Sequence, residues 1–168
     1  MIPVIRVGSP AKERPLKINV VGGGISGLAT AQAILAAMPS AEIIILESAR
    51  RAGGKVWTEL SPEGYLCEGG VNGFLNKIPK TLESCAELGI SPLGADIAAQ
   101  RRYVFSRNKA IPQYVVGHAS KLGSLNKNLQ THPGLILTGN AFKGVSLNDC
   151  LVNASQTAKS LLATAVTG

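Results

Sequence analysis

Aromatic residues are scarce in this chain of 168 residues: one Trp, three Tyr and three Phe. The net charge is +7, but Lys and Arg are scattered and have few rings among them. A nucleic-acid surface needs clustered basic residues interleaved with stacking side chains, so no nucleic-acid partner is expected. Cysteine is limited to Cys67, Cys85 and Cys150, an odd number at wide spacing with no C-x-x-C pair. That excludes a disulfide framework and a cysteine metal site, and the apolar neighbours lead us to expect buried, reduced thiols. The two histidines, His118 and His132, are isolated, so no metal site is expected. No apolar run approaches the roughly 20 residues that span a bilayer. Residues 1–15 lack the apolar stretch of a signal peptide and read as a flexible leader, leaving 16–168 as a single domain of ordinary size. The expected location is cytoplasmic, with an organelle as the alternative. Repeats and low-complexity segments are missing too.

Glycine, by contrast, is plentiful, at 19 residues, and its placement is informative. Lys17-Ile18-Asn19-Val20-Val21 is a short apolar strand that runs into Gly22-Gly23-Gly24-Ile25-Ser26-Gly27, a G-x-G-x-x-G turn. Gly22 permits the tight turn, Gly24 lets the backbone approach a pyrophosphate, and Gly27 lets the following helix pack on the strand. The N–H groups of that helix start, Ile25 and Ser26 among them, then face the phosphates. Ile25, Leu28, Ala29, Gln32, Leu35 and Ala36 recur at helical spacing, and Pro39 stops the helix. Glu42 to Glu47 is a second apolar strand, placing Glu47 at its carboxyl end to accept hydrogen bonds from an adenosine ribose. Arg51, Gly53, Gly54 and Lys55 follow closely, two glycines for a second backbone approach and two cations for phosphate.

Further along, Tyr65–Glu68 reads as a brief strand before the turn Gly69–Gly73. Pro79 and Gly89 bracket a helix with Leu82, Cys85, Ala86 and Leu88 facing inward. Arg102–Phe105 and Tyr114–Val116 read as strands, and Leu122, Leu125 and Leu129 mark a short amphipathic helix. Leu135–Asn140 reads as a strand ending in a polar turn. Gly144-Val145-Ser146 then opens the longest helix, with Leu147, Cys150, Leu151, Ala154, Ala158, Leu161, Leu162 and Ala165 inward and Ser146 with Asp149 in a capping-box pattern. Two strand-turn-helix units would thus each aim a helix N-terminus at a ligand.

Four blocks together give the chain a resemblance: V-V-G-G-G-I-S-G-L-A from Val20, E-x-x-x-R-x-G-G-K from Glu47, E-G-G-V-N-G-F-L from Glu68, and P-Q-Y-V-V-G-H from Pro112. With the tail Pro133–Cys150, they resemble the oxygen-dependent protoporphyrinogen and coproporphyrinogen oxidases, within the amine-oxidase-type FAD enzymes. The resemblance implies FAD as cofactor and a porphyrinogen of haem biosynthesis as substrate, giving hydride to flavin that O2 reoxidises. It implies that Gly22, Gly24 and Gly27 hold the pyrophosphate, Glu47 the ribose, and Arg51, Gly53, Gly54 and Lys55 the pyrophosphate and ribityl region. Gly139, Asn140, Gly144 and Val145 would approach the ribityl chain and flavin ring, with the last helix aiming its positive end at the flavin. Family members are much longer, and the substrate region they carry between an I-P like Ile111-Pro112 and the P-Q-Y at Pro112–Tyr114 is missing here. Ser146 stands where the family tends to have glycine.

The fold class expected is α/β, a Rossmann-like FAD-binding domain with a mainly parallel sheet joined from N- and C-terminal segments and a deletion seam near 111–114. No residue is nominated as catalytic acid, base or nucleophile. Three alternatives stand beside a working oxidase: a domain that binds FAD without turnover, a scaffold that binds nothing, and an NAD-binding domain, against which Gly53-Gly54 and Gly139-Asn140 argue. Self-association through exposed apolar surface is expected.

Overall fold

The structure, a computed structural model, describes residues 4–7, 15–70, 73–75, 77–94 and 112–166, with backbone alone for 4–7 and 165–166. The expected strand Arg102–Phe105, Ile111 at the expected seam and the side chain of Ala165 lie outside the described residues. The organising unit is β2 (Lys17–Val21), α1 (Ile25–Ala37) and β3 (Glu42–Leu46). β2 and β3 pair in parallel from Lys17 opposite Glu42 to Val21 opposite Leu46. In β3 the residues pointing to one face, Ile43 and Ile45, are fully buried, as β-branched side chains on a covered sheet should be. The helix ends at Ala37, where Met38 N–H closes onto the Ile34 carbonyl and Pro39 supplies no further donor.

β1 (Val4–Val7), inside the segment read as a leader, pairs antiparallel with the other edge of β3, giving the order β1-β3-β2. Its three β-branched residues in four favour that pairing. The sheet therefore has one parallel and one antiparallel ladder, short of the mainly parallel sheet expected. Leu135–Thr138 adds no strand to it; this segment runs without a ladder, and Leu135 is half exposed. Tyr114–Val116 likewise forms no strand, but leads through a turn into α3 (His118–Leu129). Apolar runs record a tendency to be buried, and a strand also needs a partner edge for its N–H and C=O groups.

The C-terminal segment joins the domain through helix α4 (Leu147–Val166), which packs along α1. Apolar residues surround α1 on all sides, as a helix clamped between a sheet and a second helix requires. Its buried set is Gly27, Ala29, Thr30, Ala31 and Ile34, all but Ile34 smaller than the expected Leu28 and Leu35, which are only partly buried. Ala29, Leu151 and Ala154 make one cluster, and Ala31, Ile34, Ala41, Ile43, Ile45 and Ala158 the main core. Thr30 is accommodated because its hydroxyl donates to the Ser26 carbonyl at 2.8 Å.

β4 (Thr58–Leu60) and β5 (Leu66–Glu68) form a small antiparallel hairpin, of which the sequence showed only the second strand. In α2 (Lys80–Glu87) the expected inward face is wrong: Leu82 is 39% and Leu88 59% exposed, Ala86 is exposed and Cys85 is half-buried, while Thr81 is buried. A polar couple sets the orientation. Asn148 of α4, itself buried, accepts the Thr81 amide at 3.1 Å and the Thr81 hydroxyl, and donates to the Leu75 carbonyl at 2.8 Å. A buried amide side chain without such partners would cost more than the leucines gain. All three thiols are free, but only Cys150 is buried; Cys67 is exposed. No helix among the described residues is long and apolar enough to cross a membrane.

Candidate functional site

The turn between β2 and α1 is fixed from several sides. Gly22 N–H donates to the Leu46 carbonyl at 2.8 Å, and Gly22 adopts φ +104°, where glycine is favoured. A Cβ on Gly27 would lie 2.0 Å from the Gly22 carbonyl oxygen, so the close packing of turn on helix demands glycine. Gly24 is the N-cap of α1, with no side-chain cap and no acidic residue in the first turn. The first N–H groups of a helix have no acceptor within it, so this end presents donors and partial positive charge.

Glu47 sits just past β3, buried against this turn. Its Oε2 accepts the Gly23 amide at 2.7 Å, and its Oε1 accepts the Ala49 amide at 2.8 Å and the Ser48 hydroxyl at 3.2 Å. These donors, Ala49 first and then Gly23, hold its carboxyl below the usual range and keep it ionised. The acid read as a ribose acceptor is therefore also the brace of the glycine turn.

The Gly53-Gly54 loop is laid against the same turn. Gly53 N–H donates to the Gly23 carbonyl at 2.7 Å, and a Cβ on Gly54 would come within 3.1 Å of the Gly24 Cα. Arg51, expected to face phosphate, is engaged locally. Its guanidinium donates to the carbonyls of Gly54 at 2.8 Å, Ala52 at 3.0 Å and Val56 at 3.3 Å, and lies 5.9 Å over the Trp57 ring. It moulds the loop. Lys55 is exposed beside it.

A third turn arrives from the C-terminal part of the chain. Gly139 is buried with φ +108°, and a Cβ there would sit 3.5 Å from the Ser26 Oγ in the first turn of α1. Gly139, 85 to 117 residues further along the chain than the glycines of the first two turns, is thus brought to the same helix end. Asn140 turns inward: its Nδ2 donates to the Val145 carbonyl at 3.1 Å and its Oδ1 accepts the Cys150 thiol at 2.8 Å. The expected positive end of α4 is already answered by its own chain. Asp149 accepts the Val145 amide at 3.0 Å, the Ser146 amide at 2.9 Å and the Ser146 hydroxyl at 2.7 Å, while the Ser146 hydroxyl accepts the Asp149 amide at 3.1 Å. The capping box forms as expected, with Asp as its acid. Ser146, through its amide and hydroxyl, and then Val145 hold the Asp149 carboxyl below its ordinary range. The turn carrying Gly144 and Val145 therefore bears a carboxylate where helix geometry alone would have left positive charge.

Sequence reasoning missed Tyr114 and His118 as contributors to this turn. The P-Q-Y-V-V-G-H block that contains both was the available signal, but its apolar valines suggested a strand. Among the described residues, no group of three or more His, Cys, Asp or Glu side chains is placed to hold a metal ion.

Comparison with known proteins gives the same direction. A profile for "Flavin containing amine oxidoreductase" matches residues 25–127. Over 56 residues the chain is 48% identical to a chloroplastic protoporphyrinogen oxidase of Oryza sativa subsp. japonica, covering 33% of this chain and 10% of that protein. It is 32% identical over 89 residues to the protoporphyrinogen oxidase of Schizosaccharomyces pombe, covering 52% and 17%, and 35% identical over 115 residues to the coproporphyrinogen III oxidase of Mycobacterium bovis, covering 66% and 25%. The chain thus spans a quarter or less of the length of these relatives. A solved putrescine oxidase with redesigned cofactor binding superposes over 70% of this chain and 27% of its own, with TM-score 0.40 and 22% identity. Since the profile covers more than half of the sequence, including α1, the Gly53-Gly54 loop and α2, the chain belongs to the flavin containing amine oxidoreductase family, whose membership implies FAD.

Proposed function

We propose that residues 16–168, with a seam near 111–114, act as one Rossmann-like FAD-binding domain that holds FAD by its adenosine and pyrophosphate at the glycine cluster. The observation that carries this reading is the meeting of three glycine turns at the uncapped start of α1. A side chain at Gly54 would press on Gly24, and Gly139 favours glycine through its φ of +108°, so glycine suits both turns that face the helix start. Gly22, Gly24, Ile25, Ser26 and Gly27 would hold the pyrophosphate, with Gly53, Gly54 and Lys55 on its other side. Arg51 would act through the loop it shapes. A carboxylate offers roughly four lone-pair directions; three donors already engage Glu47, which leaves room for one ribose hydroxyl rather than two. Gly139, Asn140, Gly144 and Val145 would line the ribityl and flavin end.

When bound, FAD supplies hydride acceptance and reoxidation by O2, and the protein supplies position and electrostatics. A porphyrinogen is the substrate class we propose, in the cytoplasm, on the strength of the relatives' activities. A second reading, FAD binding without porphyrinogen turnover, is favoured by one feature: the polar side chains around the Gly139–Ser146 turn, Asn140, Asp149 and Tyr114, are all engaged with that turn. We further propose self-association through exposed apolar side chains such as Leu60 and Leu66 of the hairpin. An apparent mass that stays monomeric across concentrations in light scattering would contradict it.

Titration with FAD, followed by fluorescence quenching and by the two-band visible absorbance of bound flavin, tests the main proposal. Gly24→Val should abolish binding, and equal affinity in the variant and the wild type would overturn it. Tighter binding of NAD than of FAD would favour the nicotinamide alternative. Anaerobic addition of a porphyrinogen to FAD-loaded protein separates the two catalytic readings, since bleaching of the flavin band marks turnover and an unchanged band marks binding alone.

A further inference from the structure

The Gly139–Ser146 turn is gripped from outside by one segment of the chain. The Tyr114 hydroxyl donates to the Asn140 carbonyl at 2.6 Å and lies 2.8 Å from the Gly144 carbonyl. These two carbonyls belong to opposite ends of the turn. A hydroxyl has one proton, so the two acceptors share it or take it in alternation, and either way they are held at one point. His118, one helical start further on, stacks on the Tyr114 ring with centroids 4.4 Å apart and planes 9° off parallel. Its Nε2 lies 3.4 Å from the Phe142 carbonyl at the crown of the same turn. Desolvation, then the nearby Asp149 carboxylate, raises the Tyr114 pKa, in keeping with a hydroxyl that stays protonated and donates. On the inner side the turn meets the first turn of α1 through Gly139 and Ser26.

We propose that Tyr114, with His118 stacked behind it, is a positioning residue for the cofactor: it closes the Gly139–Ser146 turn and so fixes where the flavin-facing backbone stands relative to α1. This rests on the FAD reading above for its ligand, but the clasp itself acts on the protein without ligand. Neither residue is a catalytic residue. The ring stack sets the hydroxyl's position, and the hydroxyl sets the turn.

Tyr114→Phe removes only the hydroxyl and keeps the stack on His118; Tyr65→Phe, on the exposed hairpin side, is the control. In the full chain without FAD, hydrogen exchange at the Phe142 to Ser146 amides should quicken in Tyr114→Phe, while β2, α1 and β3 keep their protection. With FAD, the Kd should rise about fivefold, the value of one hydrogen bond, and the visible bands of the bound flavin should shift. His118→Ala should move the same readouts in the same direction, and Tyr65→Phe none. Unchanged exchange in the turn overturns the clasp. So does quickened exchange with wild-type FAD affinity and spectrum, because the turn would then loosen without consequence for the ligand. Failure of the wild type to bind FAD is a separate result, which overturns the flavin reading and leaves exchange in the turn to decide whether the clasp exists.

Discussion

Gly23 and Glu47 stand 24 residues apart in the chain and meet at 2.7 Å, amide to carboxylate. The bond joins the first turn of the β2–α1–β3 unit to the end of its last strand, so the turn is ordered before any ligand enters. The Ala49 amide and Ser48 hydroxyl on the other oxygen keep the carboxylate from swinging away. Preorganisation of this kind lowers the entropy that a ligand has to overcome on binding.

This gives a pH dependence with a definite sign. The Glu47 carboxyl is held below its ordinary range in the fold, as is Asp149. A carboxyl whose folded pKa lies below its unfolded value adds stability above the unfolded pKa and loses it as pH falls through the folded one. The thermal midpoint should be flat from neutral pH to about 5 and fall below about 4, the ordinary carboxylate range. Glu47→Gln should flatten part of that fall. Midpoint curves of equal slope for variant and wild type, read by circular dichroism, would contradict the assignment.

Two glycines three residues apart should behave oppositely. Gly27→Ala places a methyl 2.0 Å from the Gly22 carbonyl oxygen and 3.2 Å from the Val20 Cγ1, and should cost about 1–3 kcal/mol or more in urea unfolding. At Gly24 a methyl meets nothing nearer than 3.9 Å, and φ of −75° suits alanine. Gly24→Ala should therefore leave the ligand-free stability within about 0.5 kcal/mol while weakening FAD binding. Equal destabilisation by both would show that the packing argument is wrong.

Asn148→Ala should leave the buried Thr81 amide and hydroxyl without their acceptor, at a cost of about 1–3 kcal/mol, and the more exposed Leu75 carbonyl without its donor. Asn148→Asp keeps the acceptor for Thr81 and loses only the donor to Leu75. Exchange at the α2 amides should quicken in the alanine variant before the sheet is affected, and uniform loss of protection would speak against a local role.

Asp149→Asn should separate stability from cofactor electrostatics. The cap should weaken modestly, because the Val145 and Ser146 amides exchange a charged acceptor for a neutral one. Removing the negative charge beside the turn proposed to face the flavin should at the same time raise the reduction potential of bound FAD, by favouring its anionic reduced form. A potential that falls or stays fixed in spectroelectrochemical titration would place the flavin elsewhere.

The β2–α1–β3 unit was legible because its signals are local: a G-x-G-x-x-G turn between two apolar strands, a proline stop and an acid at the strand end. The long helix with its Ser146–Asp149 box was legible for the same reason. That Leu135–Thr138 forms no strand was not legible, since an apolar run carries no information about a free sheet edge. Orientation of α2 was misread because Thr81 looks solvent-loving until Asn148, 67 residues away, is brought beside it. Arg51 reads as a phosphate ligand by charge and spacing, and its hydrogen bonds to three carbonyls of its own loop carry no local sequence signal. Long-range polar pairing is what sequence periodicity leaves out.

The seam of α1 and α4 is built of methyl groups, Ala29 and Ala31 against Ala154 and Ala158 with Leu151 beside them. Both glycine-bearing turns hang from the ends of these two helices, so the thickness of the seam works as a shim that sets the width of the gap between Ser26 and Gly139. A single added isopropyl at position 154 would spread the jaws of the site without touching one residue in them.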